Sequence, residues 1–160
     1  MTKYSSKIES PIGQITIIAD DNAVNEITFS EKLVADLTEN TISQLAAKEL
    51  TQYFEGTLRE FSFPMVQTGT AFQQEVWSNL LKIPYGETTS YAKFSAHKPL
   101  AIRAIAAANG KNNIAIVVPC HRVIGSNGKL VGYAGELWRK KWLLQHEIET
   151  AQRGQSEMKF

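Results

Sequence analysis

The chain has very little cysteine: Cys120 is the only one among 160 residues. A lone cysteine excludes a disulfide within the chain and a zinc site made of cysteines alone. His97, His121 and His146 could add ligands, but their spacing shows no paired metal-binding pattern. The sequence therefore predicts no metal and no cofactor, and Cys120 is either a buried apolar residue or a nucleophile.

Long apolar runs are also missing. No stretch approaches the roughly 20 residues that a membrane span needs. The N-terminal stretch MTKYSSKIES lacks the apolar centre of a secretion signal. We therefore expect no membrane association and a reducing compartment, which is the cytoplasm or, in a eukaryote, the nucleus.

The net charge of +1 conceals an uneven distribution. Residues 1–66 hold 5 Lys/Arg and 10 Asp/Glu, a net charge of −5, whereas residues 67–160 hold 12 and 6, a net charge of +6. Only the second part has the sign that suits a polyanion such as nucleic acid. We expect two domains that divide at this point.

Residues 1–66 predict strands followed by a helix. GQITIIAD and VNEITFSE are β-rich runs separated by a turn, and TISQLAAKELTQYFEG has helical spacing that ends on Gly56. REFSFPM has the composition of a further strand ending at a proline. The pattern indicates a small domain with both strands and helix.

Residues 67–160 predict mainly helices, so the fold class is α+β. Thr70 and Gln73 form a capping-box pattern at the start of the first helix. TSYAKFSAH is a short second helix, and Pro99 is suited to begin a third. Two short helices joined by a tight break resemble a helix-turn-helix. An amphipathic helix, GELWRKKWLLQHEIE, follows.

The third helix, LAIRAIAAANG, combines small side chains with one long cation. Its alanines would let the backbone approach a groove wall, with Arg103 projecting as a single probe. Alternatively, the alanines pack against a neighbouring helix and Arg103 is an ordinary surface cation. Composition alone leaves both interpretations open.

Cys120 lies in the stretch IAIVVPCHRVIG. An unassisted thiol has a pKa of about 8.5 and is mostly protonated at neutral pH. His121 could act as its general base, directly or through a water, if a carboxylate such as Glu147 held the other ring nitrogen. Because an apolar run ends at the thiol, we expect Cys120 at the mouth of a pocket.

PCHRVIG resembles the active-site motif of the O6-alkylguanine-DNA alkyltransferases. Three more stretches are similar to this family in order and spacing: GTAFQQEVWSNLLKIPYGETTSYAKF, RAIAAANGKNN and GYAGELWRKKWLLQHE. Together they cover about residues 69–147, whereas residues 1–65 match only in kind. The resemblance implies a ribonuclease H-like domain followed by a winged-helix or helix-turn-helix domain.

The resemblance also implies a single-use, irreversible transfer of an alkyl group from O6-alkylguanine in duplex DNA to Cys120, with O4-alkylthymine as a further candidate substrate. His121 would take the thiol proton through a water, and Glu147 would orient it. Tyr91 matches the tyrosine that hydrogen-bonds or protonates guanine N3. Asn112 matches the hinge asparagine that links the recognition helix to the active-site segment.

The resemblance further implies that the damaged base is flipped out of the double helix. Arg103 matches the residue that fills the vacated stack, while its helix lies in the minor groove. The implied DNA contacts are Tyr91, Arg103, Ala104, Ala107 and Arg122.

The implied base pocket uses mostly backbone groups. The carbonyls of Cys120 and Val123 would accept from the exocyclic amine of guanine, and a backbone N–H near Ala134 would face O6. The remaining pocket residues are Tyr133 and Gly135.

Two positions depart from the family pattern. Asn113 stands where the family usually has proline, which removes the rigidity of that ring from the loop. Glu136 stands where the family usually has a second glycine. Its carboxylate would either narrow the pocket entrance or start the last helix, where it suits the helix dipole; we expect the second.

Three other functions are considered beside repair. A module that binds alkylated bases without transfer is disfavoured by the presence of Cys120. A helix-turn-helix regulator would read the major groove with sequence preference. A cysteine protease normally has its histidine distant from the cysteine in sequence. We expect a monomer whose partner is double-stranded DNA containing O6-alkylguanine.

Overall fold

The computed structural model describes residues 2–29, 37–125, 128, 133 and 135–157. The chain forms two compact units, Met1–Thr68 with Asn113–Ala115, and Gly69–Asn112 with Ile116–Phe160. Among the helices in the described ranges, none is both long and apolar enough to cross a membrane.

The first unit contains an antiparallel sheet and one helix. Its elements are β1 (Tyr4–Ser10), β2 (Gly13–Ala19), β3 (Val24–Thr28) and α1 (Thr41–Glu55). The strands lie in the order β1-β2-β3, and α1 packs on them. Ile15 and Ile17 of β2 are fully buried, as are Leu50 and Tyr53 of α1.

The predicted helix and two predicted strands of this unit are confirmed. Asn40 caps α1 through a reciprocal bond pair with Ser43. Gly56 ends it with φ 80, a left-handed conformation that costs glycine little.

Two features of this unit differ from the sequence prediction. β1 was not predicted, because its run YSSKIES is mostly polar, yet Ser5 and Ser6 are buried within it. REFSFPM is not a strand. Its phenylalanines pack through their side chains, with the rings of Tyr53 and Phe61 and those of Phe61 and Phe63 each 5.8 Å apart. Only Met65 at its end pairs with the sheet, through an isolated parallel bridge to Val24.

The segment Asn113–Ala115 returns to the sheet of the first unit. Ile27 N donates to Asn113 O at 2.9 Å, and Ala115 N donates to Ile27 O at 3.2 Å. Asn113 N donates to Gln67 Oε1 at 2.9 Å, a bond that the family's usual proline could not make. Asn113 therefore replaces the rigidity of a proline with a hydrogen bond.

The second unit is mostly helical, as predicted. It contains α2 (Ala71–Leu80), β4 (Thr89–Ser90), α3 (Tyr91–Phe94), α4 (Ile102–Gly110), β5 (Val123–Ile124) and α5 (Leu137–Glu157). Short 3-10 turns lie at Pro99–Ala101 and Cys120–Arg122, and β4 pairs with β5 in parallel. Thr70 and Gln73 form the predicted capping box of α2.

α4 buries one face and exposes the other. Its Ile105 and Ala108 pack with Val76 of α2, and Phe72 and Phe94 cover this cluster. The indole Nε1 of Trp77 also donates to Ala108 O at 2.9 Å.

Candidate active site

Cys120 begins a 3-10 turn at the end of a buried apolar segment. Ile116 in that segment has φ 71, a left-handed conformation that strains a β-branched residue. Cys120 N then donates to Val118 O at 2.8 Å. Cys120 is only 8% exposed, so the thiol of the free protein is more covered than the predicted position at a pocket mouth.

His121 and Glu147 form a buried pair beside the thiol segment. His121 Nε2 lies 2.7 Å from Glu147 Oε2, and the two side chains are 0% and 1% exposed. His121 Nδ1 is buried without a hydrogen-bond partner among the described residues. With an ionised carboxylate on Nε2, the neutral ring has its proton on Nε2 and its lone pair on Nδ1.

Arg122 holds the same carboxylate. Its Nε donates to Glu147 Oε1 at 2.8 Å and its Nη2 to Glu147 Oε2 at 3.1 Å, while Nη1 donates to Ile83 O at 2.7 Å. The side chain is buried. The structure therefore corrects the expected DNA contact of Arg122, because its donors face the protein interior.

These partners keep Glu147 ionised. Burial on its own raises the pKa of this carboxyl. The charge and hydrogen bond of His121, followed by those of Arg122, outweigh burial and hold the pKa of Glu147 well below its ordinary value.

Asn112 fixes the turn that carries the thiol. Its Nδ2 donates to Val118 O at 2.9 Å and lies 3.4 Å from Cys120 Sγ, within hydrogen-bonding distance of sulfur. Asn112 thus contacts the thiol, and the residue that follows Cys120 in the chain, His121, pairs with Glu147.

Lys140 lies close enough to influence the thiol and was not predicted from the sequence. It is fully buried, and its Nζ donates to Val123 O at 2.6 Å. The signal was the spacing of α5, because Lys140 stands three, four and seven residues before the buried Leu143, Leu144 and Glu147. The carbonyl of Val123, expected to meet guanine, already accepts this bond and keeps one lone pair free.

The buried thiol and the buried ammonium influence each other. Burial raises the pKa of Cys120, and the hydrogen bond from Asn112 and the charge of Lys140 offset only part of that rise. Burial likewise lowers the pKa of Lys140, against the charge of a Cys120 thiolate. The buried ammonium of Lys140 therefore favours the thiolate form of Cys120 over the neutral thiol.

Tyr91 and Tyr133 both lie near the thiol. Tyr91 Oη accepts a hydrogen bond from Asn109 Nδ2 at 2.7 Å. Burial raises the pKa of Tyr91, the bond from Asn109 lowers it, and the charge at Cys120 raises it. Burial also raises the pKa of Tyr133 well above its ordinary value, and the charge at Cys120 adds to this.

The rest of the predicted base pocket is described only in part. Gly135 is half-buried, and its carbonyl accepts from Arg139 Nη1 at 3.1 Å. Ala134 lies outside the described residues.

Glu136 lies just before α5, as expected, and has φ 75. Its Oε2 accepts from Trp138 Nε1 at 2.7 Å. The left-handed backbone explains why glycine suits this position.

The exposed face of α4 carries the residues predicted to meet DNA. Arg103, Ala104 and Ala107 are all exposed, on the side opposite the core residues Ile105 and Ala108. Leu100, just before the helix, is fully exposed. A surface with small side chains and one long cation is able to approach another molecule closely.

Metal ligation finds no support in the described ranges: no group of three or more histidine, cysteine, aspartate or glutamate side chains could hold an ion there. The chemistry of the cluster is that of a thiol beside a histidine–carboxylate pair.

Comparisons with known proteins cover both units. Residues 3–66 match the 6-O-methylguanine DNA methyltransferase ribonuclease-like domain, and residues 71–149 match the DNA binding domain of the same name. A methylated-DNA–protein-cysteine methyltransferase of Methanosarcina barkeri is 43% identical over 152 residues, which are 90% of this chain and 96% of that relative. A protein of the same name from Mycobacterium leprae is 43% identical over 158 residues, 92% of this chain and 96% of that one. The crystal structure of Mycobacterium tuberculosis OGT with DNA has a TM-score of 0.82 and 41% identity, covering 94% of each chain.

Proposed function

This chain belongs to the 6-O-methylguanine DNA methyltransferase family, whose activity is DNA repair by alkyl transfer to a protein cysteine, and we propose that Cys120 is the acceptor. The observation that carries this assignment is the buried His121–Glu147 pair beside the only thiol of the chain. Residues 67–160 supply the DNA surface and the acceptor, and residues 1–66 form a structural domain. The substrate is duplex DNA containing O6-alkylguanine, and the protein acts as a monomer without a cofactor.

The first step is the removal of the thiol proton. Glu147 fixes the proton of His121 on Nε2, so the lone pair of Nδ1 is the available base. A water relays the proton from Cys120 to Nδ1. The charge of Lys140 and the hydrogen bond from Asn112 stabilise the thiolate that remains.

The second step is the displacement at the alkyl carbon. The thiolate attacks this carbon, the S–C bond forms, and the C–O6 bond breaks with its electron pair going to the purine. The purine gains one proton and becomes guanine, and the thiol has lost one proton, so no other reactant is consumed. The thioether has no easy route back to thiol, and each molecule therefore acts once.

The leaving purine develops negative charge, which needs a donor. Tyr91 supplies a hydrogen bond or proton to guanine N3. Two observations support this role: the phenol is half-buried, and the charge at Cys120 raises its pKa, as expected for a group near the thiol. Among the described residues, the proposed pocket around the base comprises Tyr133, Gly135 and the carbonyls of Cys120 and Val123.

The exposed face of α4 binds the minor groove. Ala104 and Ala107 allow close approach, and Arg103 fills the space that the flipped base leaves. Because the minor groove encodes little sequence information, docking there lets the protein examine bases in any sequence. Flipping then brings the damaged base to the thiol. The buried guanidinium of Arg122 is assigned to Glu147 and not to this surface.

Stoichiometric repair of a defined duplex tests the proposal. With excess duplex carrying a single O6-methylguanine, guanine should appear in an amount equal to the protein and then stop. Cys120→Ala should form no guanine while DNA binding largely persists. Binding of methylated duplex by the wild-type protein without loss of the methyl group would instead indicate a sensor of alkylated bases.

A further inference from the structure

The amide of Asn109 holds the phenol that faces the reaction. Asn109 lies in the last turn of α4 and is 5% exposed, and its Nδ2 donates to Tyr91 Oη at 2.7 Å. We propose that Asn109 is a positioning residue that directs the phenolic proton of Tyr91 towards the leaving base. This inference rests on the proposed role of Tyr91 in alkyl transfer.

The direction of this hydrogen bond decides what Tyr91 can do. A phenol has one O–H donor, and its oxygen also accepts hydrogen bonds. Because Nδ2 is itself a donor, Tyr91 cannot give its proton to that atom. The amide occupies the acceptor side of the oxygen and leaves the O–H to point elsewhere, as a donor to a base nitrogen requires.

The two orientations of the amide differ in what they leave to the phenolic proton. Asn109 Oδ1 is buried and makes no hydrogen bond among the described residues. A buried polar atom left without a partner costs about 1–3 kcal/mol. Turning the amide over would let Oδ1 accept from Tyr91 but would put the Nδ2 donor in the unpartnered place, so the cost would remain. Only the observed orientation leaves the phenolic proton free for another acceptor.

The backbone of Asn109 is fixed independently of its side chain. Trp77 Nε1 donates to the carbonyl of the preceding residue, Ala108, at 2.9 Å in a buried contact. Val76, Ile105 and Ala108 form the core beneath the same turn. The amide is therefore presented to Tyr91 from a rigid element, which is what orienting a proton demands.

The same hydrogen bond also favours proton donation. Burial raises the pKa of Tyr91, whereas the bond from Asn109 lowers it by stabilising the phenolate oxygen. Among the described influences on this phenol, Asn109 is the one that makes it a stronger acid.

Asn109→Asp tests the proposal with almost no change in shape. A carboxylate can only accept, so it takes the phenolic proton that the amide leaves free. In single-turnover experiments with saturating methylated duplex, the transfer rate should fall about tenfold or more, the effect of one oriented hydrogen bond to developing charge. Asn109→Ala, which removes the donor without adding an acceptor, should slow transfer less. Asn79→Asp on α2 makes the same chemical change away from the site and should leave the rate unchanged.

Two further measurements separate positioning from loss of structure. In a Tyr91→Phe background, Asn109→Asp should have no additional effect, because the hydroxyl through which it acts is gone. On duplex containing O6-methyl-3-deazaguanine, which has no N3 to receive a proton, wild-type and Asn109→Asp proteins should react at equal rates.

The proposal is overturned if Asn109→Asp transfers methyl at the wild-type rate, or if it slows the Tyr91→Phe protein or the 3-deaza substrate as much as it slows the normal reaction. An Asn109→Asp protein that fails to fold leaves the test to Asn109→Ala in the same background and with the same substrate. Failure of the proposed function gives a different result, because the wild-type protein itself would then not transfer methyl to Cys120.

Discussion

Glu147 Oε2 and His121 Nε2 are 2.7 Å apart, and both side chains are almost completely removed from solvent. The buried guanidinium of Arg122 contacts the same carboxylate, and Gly86 N donates to its Oε1 at 3.4 Å. One carboxylate thus contacts the proposed base and neutralises a buried cation, so the proposed catalytic residues also contribute to the stability of the fold.

Glu147→Gln is expected to lower both activity and stability. The amide leaves Arg122 buried without its counter-charge, and breaking such a pair typically costs about 3 kcal/mol in free energy of unfolding. The substitution also lets the proton of His121 move to Nδ1, which should slow alkyl transfer. Denaturant unfolding at neutral pH and single-turnover kinetics measure the two effects.

The stability difference should depend on pH. In the folded protein the pKa of Glu147 is held below its unfolded value of about 4.3. Ionisation of Glu147 therefore stabilises the fold fully above pH of about 4.3, and this stabilisation is lost as the pH falls from there towards the pKa of the folded state. The gap between wild type and Glu147→Gln should therefore narrow in acid. A gap that stays constant from neutral pH to pH of about 3 contradicts this.

The buried thiol predicts an alkaline pH–rate profile. Since burial raises the pKa of Cys120, the single-turnover rate should continue to rise above pH of about 8.5, where an ordinary thiol is half ionised. Lys140→Met removes the nearby positive charge at similar volume, and the profile should shift to still higher pH. The exposed neighbour allows a matched control, Lys141→Met, which should leave the profile unchanged. Equal pH–rate profiles for the two variants would show that the charge of Lys140 does not lower the pKa of Cys120.

Arg103→Ala tests the role of α4 in base flipping. Arg103 is exposed and has no part in the core of the second unit, so the variant should fold normally. Extruding a base from a duplex costs a few kcal/mol, and losing the residue that fills the gap should slow duplex repair by about tenfold or more. O6-methylguanine in a single strand needs no such filling and should react nearly as before. Arg153→Ala, which removes an exposed arginine of α5, is the control; similar losses from both variants would indicate a general charge effect.

Glu136→Gly is expected to stabilise the protein. The left-handed backbone at φ 75 costs a residue with a side chain about 1 kcal/mol relative to glycine. Thermal or denaturant unfolding should show a gain of that order. Glu136→Ala loses the same carboxylate but keeps the β-carbon, so it should show no gain. A gain from alanine equal to that from glycine would assign the effect to the charge.

The sequence predicted the reactive centre better than its surroundings. Cys120, His121 and Glu147 were proposed because a thiol, a base and a carboxylate form a known chemical set. The structure pairs His121 with Glu147, and the roles of all three residues stay predictions. Lys140 and Arg122 were missed or misassigned because long cations are usually exposed. Only the register of the buried face of α5 distinguishes Lys140 from its charged neighbours in WRKKW.

The same contrast holds for the fold. Helices with strong caps, such as α1 and α2, were predicted from their ends and their periodicity. The polar strand β1 was not predicted, and the stretch REFSFPM, in which Phe61 and Phe63 alternate with a polar residue, was predicted to be a strand. For both segments, the neighbouring residues determine the secondary structure. β1 is a strand because it pairs with β2 along its whole length, whereas Phe61 and Phe63 pack through their rings.

The most direct test of the central claim is the position of the methyl group after one turnover. Protein is incubated with duplex carrying O6-methylguanine, digested, and examined by mass spectrometry, with unmodified duplex as the control. We predict one added methylene mass on the peptide that contains Cys120, fragment ions that place it on the sulfur, and an amount equal to the guanine formed. Unmodified peptide, or a methyl group on any other residue, contradicts it.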